Sequence, residues 1–375
     1  MHDLAVVGQD PRFGDGVRSQ MEAFWMAAEG LGQQPHLFHM AHPSLDGRPF
    51  TGPAADERTP VPAVAAKLDG LNQAAAGIRI GARLGDWRST WVVATTAPAG
   101  YGAARSGRRY GCWIGTSLED EWRGRRAGLS PSRRAALALN APVLRRLERI
   151  VLRRATSVYA TSAYSAALVA EASELPHERI RVLPISVDVD RFAPEPDARW
   201  EARLDTPTLA FVGRASDPRK NMRLLLDALP LIRARLPQLR LRLIGEPPHE
   251  PLPAGAEALG RVHSVAPHLR TATLLVVPSL QEGFCVAAAE ALACGVPVLA
   301  TPCGGPEELL RRSGGGRELG SFARAELVET VVELLRDPAT LCAMRSRGRE
   351  YVAREHSPAR LRELLRDALA EIDGR

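Results

Sequence analysis

The chain has 375 residues, 45% hydrophobic and 25% charged, and Lys plus Arg exceed Asp plus Glu by 6. That length exceeds what one hydrophobic core usually supports, so two domains are expected. No apolar run reaches the ~20 residues of a membrane span, and the opening MHDLAVVGQD carries an aspartate where a secretion signal has basic residues, so a cytoplasmic location is expected.

Continuous apolar runs predict parallel strands at Leu4–Val7, His36–Met40, Trp91–Ala94, Ser157–Ala160 and Ile180–Leu183. A strand covered on both faces loses the alternation of polar and apolar residues. Amphipathic helical patterns lie between them, as in Val17–Glu29 and Pro142–Arg154, and the Pro- and Gly-rich Gly47–Pro62 reads as a surface loop. Phe192–Pro207 carries three prolines and no strand pattern, which places an interdomain linker there. A second series follows at Leu209–Val212, Leu239–Ile244, Leu274–Val277 and Pro297–Ala300, with helices such as Met222–Leu236 between. A last helix, Ser357–Ile372, has Leu361, Leu364, Leu365, Ala368 and Ile372 on one face. Strand–helix alternation in two runs predicts an α/β chain of two doubly wound parallel-sheet domains, 1–194 and 195–357.

The most informative stretch is Leu280–Glu308, LQEGFCVAAAEALACGVPVLATPCGGPEE. Glu282 and Glu290 stand eight residues apart around a Gly-Phe-Cys turn that opens an Ala-rich helix, with a buried strand on either side. Open parallel sheets bind ligands at the carboxyl ends of their strands. A helix start, with its amides and dipole, favours an anion. A ligand with both a phosphate and sugar hydroxyls suits such a place. Glu290 sits among alanines and so is expected to be part-buried and to need partners. Arg214 and Lys220 follow the strand Leu209–Val212, and Lys220 is one of only two lysines, with Lys67, in an arginine-rich chain.

Five cysteines (112, 285, 294, 303 and 342) show neither a CxxC pair nor metal-ligand spacing and read as reduced thiols, mostly buried. A thiol nucleophile at Cys285 is disfavoured because no histidine base lies in its segment. His263 and His268 read as loop residues. Arg123–Arg154 holds ten arginines and one acid, Glu148. Its sharper reading is attraction to anionic lipid or a lipid-phosphate acceptor, which would make the protein peripheral at the inner face of the membrane. The plainer reading, which we adopt, is a core-docked helix with a solvated basic face. Nucleic acid is disfavoured because aromatic residues are 5% of the chain and do not interleave with the basic run.

Four segments in order resemble the family-4 retaining glycosyltransferases of the GT-B fold. Glu282–Glu290 resembles that family's E-x7-E signature, and FVGRASDPRKNMRLLLDAL (Phe211–Leu229) the segment that opens its second domain. RRATSVYATSAYSAALVAE with RIRVLPISVDVDRFAP resembles the end of its first domain, and FGDGVRSQMEAFWMAAEGLG its glycine-rich loop and first helix. The resemblance implies two Rossmann-like domains facing across a cleft, with the C-terminal helix (358–375) crossing back to the first. It implies sugar transfer from a nucleotide-sugar donor to a hydroxyl acceptor (glycan, lipid-linked or small molecule), with retention and without a metal or other cofactor. Arg214 and Lys220 would bind the donor diphosphate, fixed cations that offset the charge built up on the leaving group. Glu282 would hold hydroxyls of the transferred sugar, and Glu290 the ribose hydroxyls. Gly283, Phe284 and Cys285 would present backbone amides. Gly14 and Gly16 would border the sugar and diphosphate, the alternative being a helix-capping turn with Asp15 as cap. The departing phosphate would itself take the acceptor proton.

The chain departs from this pattern at three points. Asp15 interrupts a glycine pair, Cys285 stands in place of a glycine, and Tyr110–Asp120 lacks the histidine that many members carry near the sugar. Thr116 or Ser117 would hydrogen-bond the sugar there instead, and Glu119, Asp120 and Glu121 would face acceptor or solvent. Two other readings stand beside the transferase: a GT-B epimerase or phosphorylase, which would lack these spacings, and a non-catalytic sugar-nucleotide-binding or scaffolding protein. A nicotinamide dehydrogenase is disfavoured because no GxGxxG follows a predicted strand.

Overall fold

The structure, a computed structural model, describes residues 3–10, 15–41, 54–62, 69–125, 130–196 and 200–374. By internal contacts it divides into two units, Met1–Ser186 with Pro358–Arg375, and Val187–Ser357.

In the first unit the apolar runs build β1 (Leu4–Gly8), β2 (Pro35–Ala41), β3 (Arg58–Pro62), β4 (Ser89–Ala94), β5 (Gly111–Ile114), β6 (Ser157–Ala160) and β7 (Ile180–Val182). They form one parallel sheet in the order β3-β2-β1-β4-β5-β6-β7. Every residue of β1 and of β4 is buried, as strands covered on both faces require. Val6 pairs with Leu37 on one side and Trp91 on the other. The covering helices are α1 (Asp15–Glu29), α2 (Asp69–Gly81), α3 (Tyr101–Arg105), α4 (Leu118–Arg125), α5 (Pro131–Arg154) and α6 (Ala163–Ser173). The core runs through Val7, Phe38, Val92, Ile114 and Val169.

The second unit contains β8 (Thr208–Val212), β9 (Arg240–Ile244), β10 (Ala256–Gly260), β11 (Leu274–Val277), β12 (Val298–Ala300) and β13 (Gly316–Glu318). These are parallel too, in the order β10-β9-β8-β11-β12-β13. Its helices are α7 (Met222–Arg235), α8 (Ala266–Arg270), α9 (Val286–Ala293), α10 (Gly305–Ser313), α11 (Arg324–Leu335) and α12 (Pro338–Glu355). Leu209, Phe211, Leu225, Val276 and Val331 sit in its core. The last helix, α13 (Pro358–Asp373), belongs to the first unit and buries Leu361, Leu365, Ala368, Leu369 and Ile372. Arg181 pairs with Glu371, and the Ser89 hydroxyl donates to Asp373, both within that unit.

The structure departs from the expected elements at several points. The described part of the segment read as a surface loop contains β3, which pairs with β2; an edge strand tolerates the prolines of RTPVP because one side of its backbone needs no ladder. α5 starts at Pro131 and carries Pro142 inside it. Burial of Ala141, Leu144 and Leu147 outweighs the lost hydrogen bond. His268 lies on α8 rather than in a loop. The division between units falls at Ser186/Val187, ahead of the proline-bearing segment. That segment is tied into the second unit: Arg349 donates to the carbonyls of Val189 and Phe192, both at 3.0 Å, Arg345 to that of Glu195, and Trp200 is buried in the core.

Candidate active site

In the second sheet the strand order reverses between β8 and β11, and an open α/β sheet binds its ligand outside the carboxyl ends at such a switch. The chain leaving β8 carries Arg214 and Lys220; the chain leaving β11 carries Glu282. Lys220 closes a short 3-10 turn, Pro218–Lys220, whose cap is Asp217. The Asp217 carboxylate accepts from the Arg219 amide (3.0 Å) and from Nη2 of both Arg219 and Arg214 (3.0 Å each). Burial works against its charge, but Arg219 and Arg214 prevail and hold the carboxyl down at about 2. One carboxylate thus sets the shape of the cationic loop.

Lys220 Nζ donates to Glu282 Oε1 at 2.6 Å, and the Ser279 hydroxyl donates to the same oxygen at 2.7 Å. Burial opposes the ammonium, yet the charge and hydrogen bond of Glu282 outweigh it and raise the lysine above its ordinary value. The Leu280 amide donates to the Arg219 carbonyl (2.7 Å), which laces the two loops together. Glu282 is pinned on its other side as well. Its amide donates to the Cys303 carbonyl (2.7 Å), and its carbonyl accepts from Gly305 (2.9 Å). Gly305 has no room for a side chain, since a Cβ there would lie 2.2 Å from the Gly283 carbonyl oxygen.

Cys285 caps α9 with a left-handed backbone, φ 68°. Burial pushes its thiol up to about 12; Glu282 and Glu290 add to this, and Lys220 opposes it. At neutral pH the thiol stays protonated, which fits the reading that it is not a nucleophile. All three charged residues act on this one sulfur, so Lys220, Glu282 and Glu290 share one neighbourhood at the opening of α9. Gly283, Cys285 and Glu290 are half-buried; Phe284 is buried, its ring centroid 5.1 Å from that of His356.

Arg214 is 30% exposed and engages Asp217, in the same loop as Lys220. Gly14 lies outside the described residues. Gly16 is exposed near the start of α1, and a Cβ there would meet nothing within 4 Å, so packing does not require a glycine. Thr116 and Ser117 are each 2% exposed. The Thr116 hydroxyl donates to Asp120 (3.1 Å), which also accepts from the Tyr164 hydroxyl (3.2 Å). In this arrangement they form an internal polar cluster rather than the open sugar contact expected of them. Glu119 pairs with Arg145. The apolar stripe of Val143–Arg154 is spent on the fold, with Leu144, Leu147 and Val151 buried and Arg145, Arg146 and Arg149 outside. Asp217, Ser279 and Gly305 are site residues that the sequence pattern had not singled out. An Asp-Pro step opening a turn and the glycine pair after Cys303 were the available signals.

Residues 23–191 match the family described as Glycosyltransferase Family 4, and residues 206–337 match Glycosyl transferases group 1. The chain belongs to the group 1, family 4 glycosyltransferases. A member of this family from Mycolicibacterium smegmatis, a GDP-mannose-dependent alpha-(1-6)-phosphatidylinositol monomannoside mannosyltransferase, is 32% identical over 218 residues, 51% of this chain and 57% of that one. A D-inositol 3-phosphate glycosyltransferase from Thermobispora bispora is 32% identical over 238 residues, 54% and 55% of the two chains. The matched part thus spans about half the length of these curated relatives. Two solved structures share the GT-B fold over 99% of this chain and 100% of their own: Anabaena HepE in complex with UDP (TM-score 0.75, 16% identity) and sucrose-phosphate synthase from Thermosynechococcus elongatus (TM-score 0.75, 20% identity). Among the described residues no helix is long and apolar enough to cross a membrane, and no cluster of three or more His, Cys, Asp or Glu is placed to hold a metal ion.

Proposed function

We propose that this chain is a retaining glycosyltransferase that moves a sugar from a nucleotide-diphosphate donor to a hydroxyl acceptor in the synthesis of envelope glycans or glycolipids. The observation that carries this reading is the Lys220–Glu282 contact at the switch point, beside the opening of α9. Lys220 is held charged before donor arrives, so an incoming diphosphate needs only to displace a carboxylate oxygen from an ammonium already in place. Arg214, in the same loop, adds a planar fork suited to phosphate oxygens. As the sugar–phosphate bond breaks, negative charge grows on the leaving diphosphate, and these cations, with the start of α9, lower its energy without a metal. Glu282, released from Lys220, takes up sugar hydroxyls, and Glu290 accepts from the ribose pair. The relatives' names, a mannosyltransferase and an inositol-phosphate glycosyltransferase, support a hydroxyl acceptor; the acceptor is a glycan, a lipid-linked species or a small molecule.

The test is turnover of a panel of UDP-, GDP-, ADP- and TDP-sugars by the protein and by Lys220→Ala and Glu282→Ala. The reading requires one donor to be consumed and both substitutions to suppress its consumption. Donor binding without turnover in the parent protein would instead leave a sugar-nucleotide-binding protein.

A further inference from the structure

Outside the site above, a second concentration of positive charge lies in the first unit, at the amino ends of its strands. Arg88 immediately precedes β4, and Arg108 and Arg109 stand just before β5. With Ile372 and Asp373 of α13 they line a cavity of about 420 Å³. Two of the guanidiniums are held from behind by carbonyls: Arg108 Nη1 donates to Gly85 at 2.5 Å, and Arg109 Nη2 to Glu371 at 2.8 Å. Arg88 Nε lies 3.9 Å from Asp373 Oδ2. A guanidinium has five N–H groups, so each keeps most of its donors for what enters the cavity.

Three guanidiniums face one carboxylate, and Asp373 already accepts from the Ser89 hydroxyl. Residues 70–117, which supply the arginines, hold six arginines and one acid, Asp86, while α13 adds Asp367 and Glu371, the latter paired with Arg181. Gathering like charge costs folding free energy unless an anion offsets it. Arg108 and Arg109 are exposed, and each is tethered by one backbone contact that it would lose on swinging away. The cavity falls within the size range of small-ligand sites. Arginine forks match the paired oxygens of a phosphate, and several around one group give charge-assisted bonds that a monoanionic carboxylate satisfies less fully.

We propose that this cavity is a binding site for a phosphorylated ligand, bearing a phosphomonoester or pyrophosphate group, distinct from the Lys220–Glu282 site. Arg88, Arg108 and Arg109 grip the phosphate, and Asp373 tempers its affinity.

Inorganic pyrophosphate is titrated calorimetrically into the full chain carrying Lys220→Ala, which removes the central cation of the donor site from the measurement. One saturable site is expected. Adding Arg88→Gln, which removes the cation least engaged by the fold, weakens binding tenfold or more; adding Asp373→Asn strengthens it. Co-sedimentation of the same proteins with phosphatidic-acid vesicles separates the sources: capture that depends on Arg88 assigns the phosphate to a lipid headgroup, and binding of soluble pyrophosphate alone assigns it to a free metabolite. Absence of saturable binding in the Lys220→Ala background, or binding that Arg88→Gln leaves unchanged, overturns the proposal. Neither result bears on sugar transfer, because the readout is binding to a protein with the donor-site lysine removed.

Discussion

In the first unit the chain leaving β1 and the chain leaving β4 are joined across the strand-order reversal by a neutral contact, the Thr95 amide donating to Gln9 Oε1 at 3.0 Å. Asp10, next in the chain after Gln9, is buried beside His39, with 3.4 Å between Oδ2 and Nδ1. In the second unit the equivalent reversal is bridged by Lys220 and Glu282, 19% and 13% exposed. The strand order around the two reversals is the same, so the fold supplies a crevice in both. The side chains decide what each crevice holds: fixed, partly accessible charge in one, an amide and a buried pair in the other.

The sharpest way to break this contrast is at the bridges themselves. Lys220→Ala should lower donor turnover by roughly 10²–10³-fold, the scale of losing one fixed group that stabilises developing charge. Steady-state kinetics check it, and an unchanged kcat would remove the lysine from the chemistry. Next is Gly305→Ala, which forces a Cβ against the Gly283 carbonyl. Denaturant unfolding should show a loss of about 3 kcal/mol, the upper range for overpacking, together with weaker donor binding as Glu282 shifts.

Two titrating groups sharpen the comparison further. Burial holds the Glu148 carboxyl up at about 7; Glu119 adds to this, while the Leu118 amide, which donates at 2.9 Å, and Arg145 oppose it. The folded state therefore keeps a proton that the unfolded chain releases near its ordinary carboxylate value, and stability falls as pH rises through that window toward 7. Glu148→Gln should abolish this fall, gaining on the parent by an amount on the order of 2–3 kcal/mol between about pH 4.5 and 8; parallel melts across that range measure it. Asp217 has the opposite sign. Its carboxyl is held at about 2, so its contribution is complete above the ordinary carboxylate value and is lost as pH falls toward 2. Asp217→Asn should cost on the order of 2 kcal/mol at neutral pH and reduce turnover by loosening the Arg214–Lys220 loop. The smallest effect is expected at the neutral bridge. Gln9→Ala should cost about 1 kcal/mol, one ordinary hydrogen bond, and leave donor affinity unchanged. A large loss of donor affinity there would erase the distinction between the two crevices.

Most interior strands were legible because burial on both faces leaves an uninterrupted apolar run, as in LAVVG of β1 and LLVV of β11; interior β5 was missed, because its four residues, GCWI, open on a glycine and make too short a run. Three strands lacked that mark: RTPVP of β3, AEALG of β10 and GRE of β13. All three lie at sheet edges, where exposure on one side removes the pressure for continuous hydrophobicity. At the site, the spacing of Glu282 and Glu290 and the rarity of lysine singled out Lys220 and Glu282, which are in direct contact, and Glu290, on the helix that Cys285 caps. Asp217 was not legible, because an aspartate before a proline reads equally as an ordinary turn opener until its two arginine partners are seen. Thr116 looked available for the opposite reason, since the sequence does not show that Asp120, in the first turn of α4, accepts its hydroxyl.

Because α13 completes the first unit yet follows the second in the chain, the first lobe is interrupted by an entire inserted lobe. During synthesis its sheet must wait, with the seats for Leu361, Leu365 and Ile372 uncovered, until some 170 further residues have left the ribosome. A premature stop only a few codons before Pro358 would therefore damage the amino-terminal half of the protein, while the lobe translated immediately before the stop kept its own core.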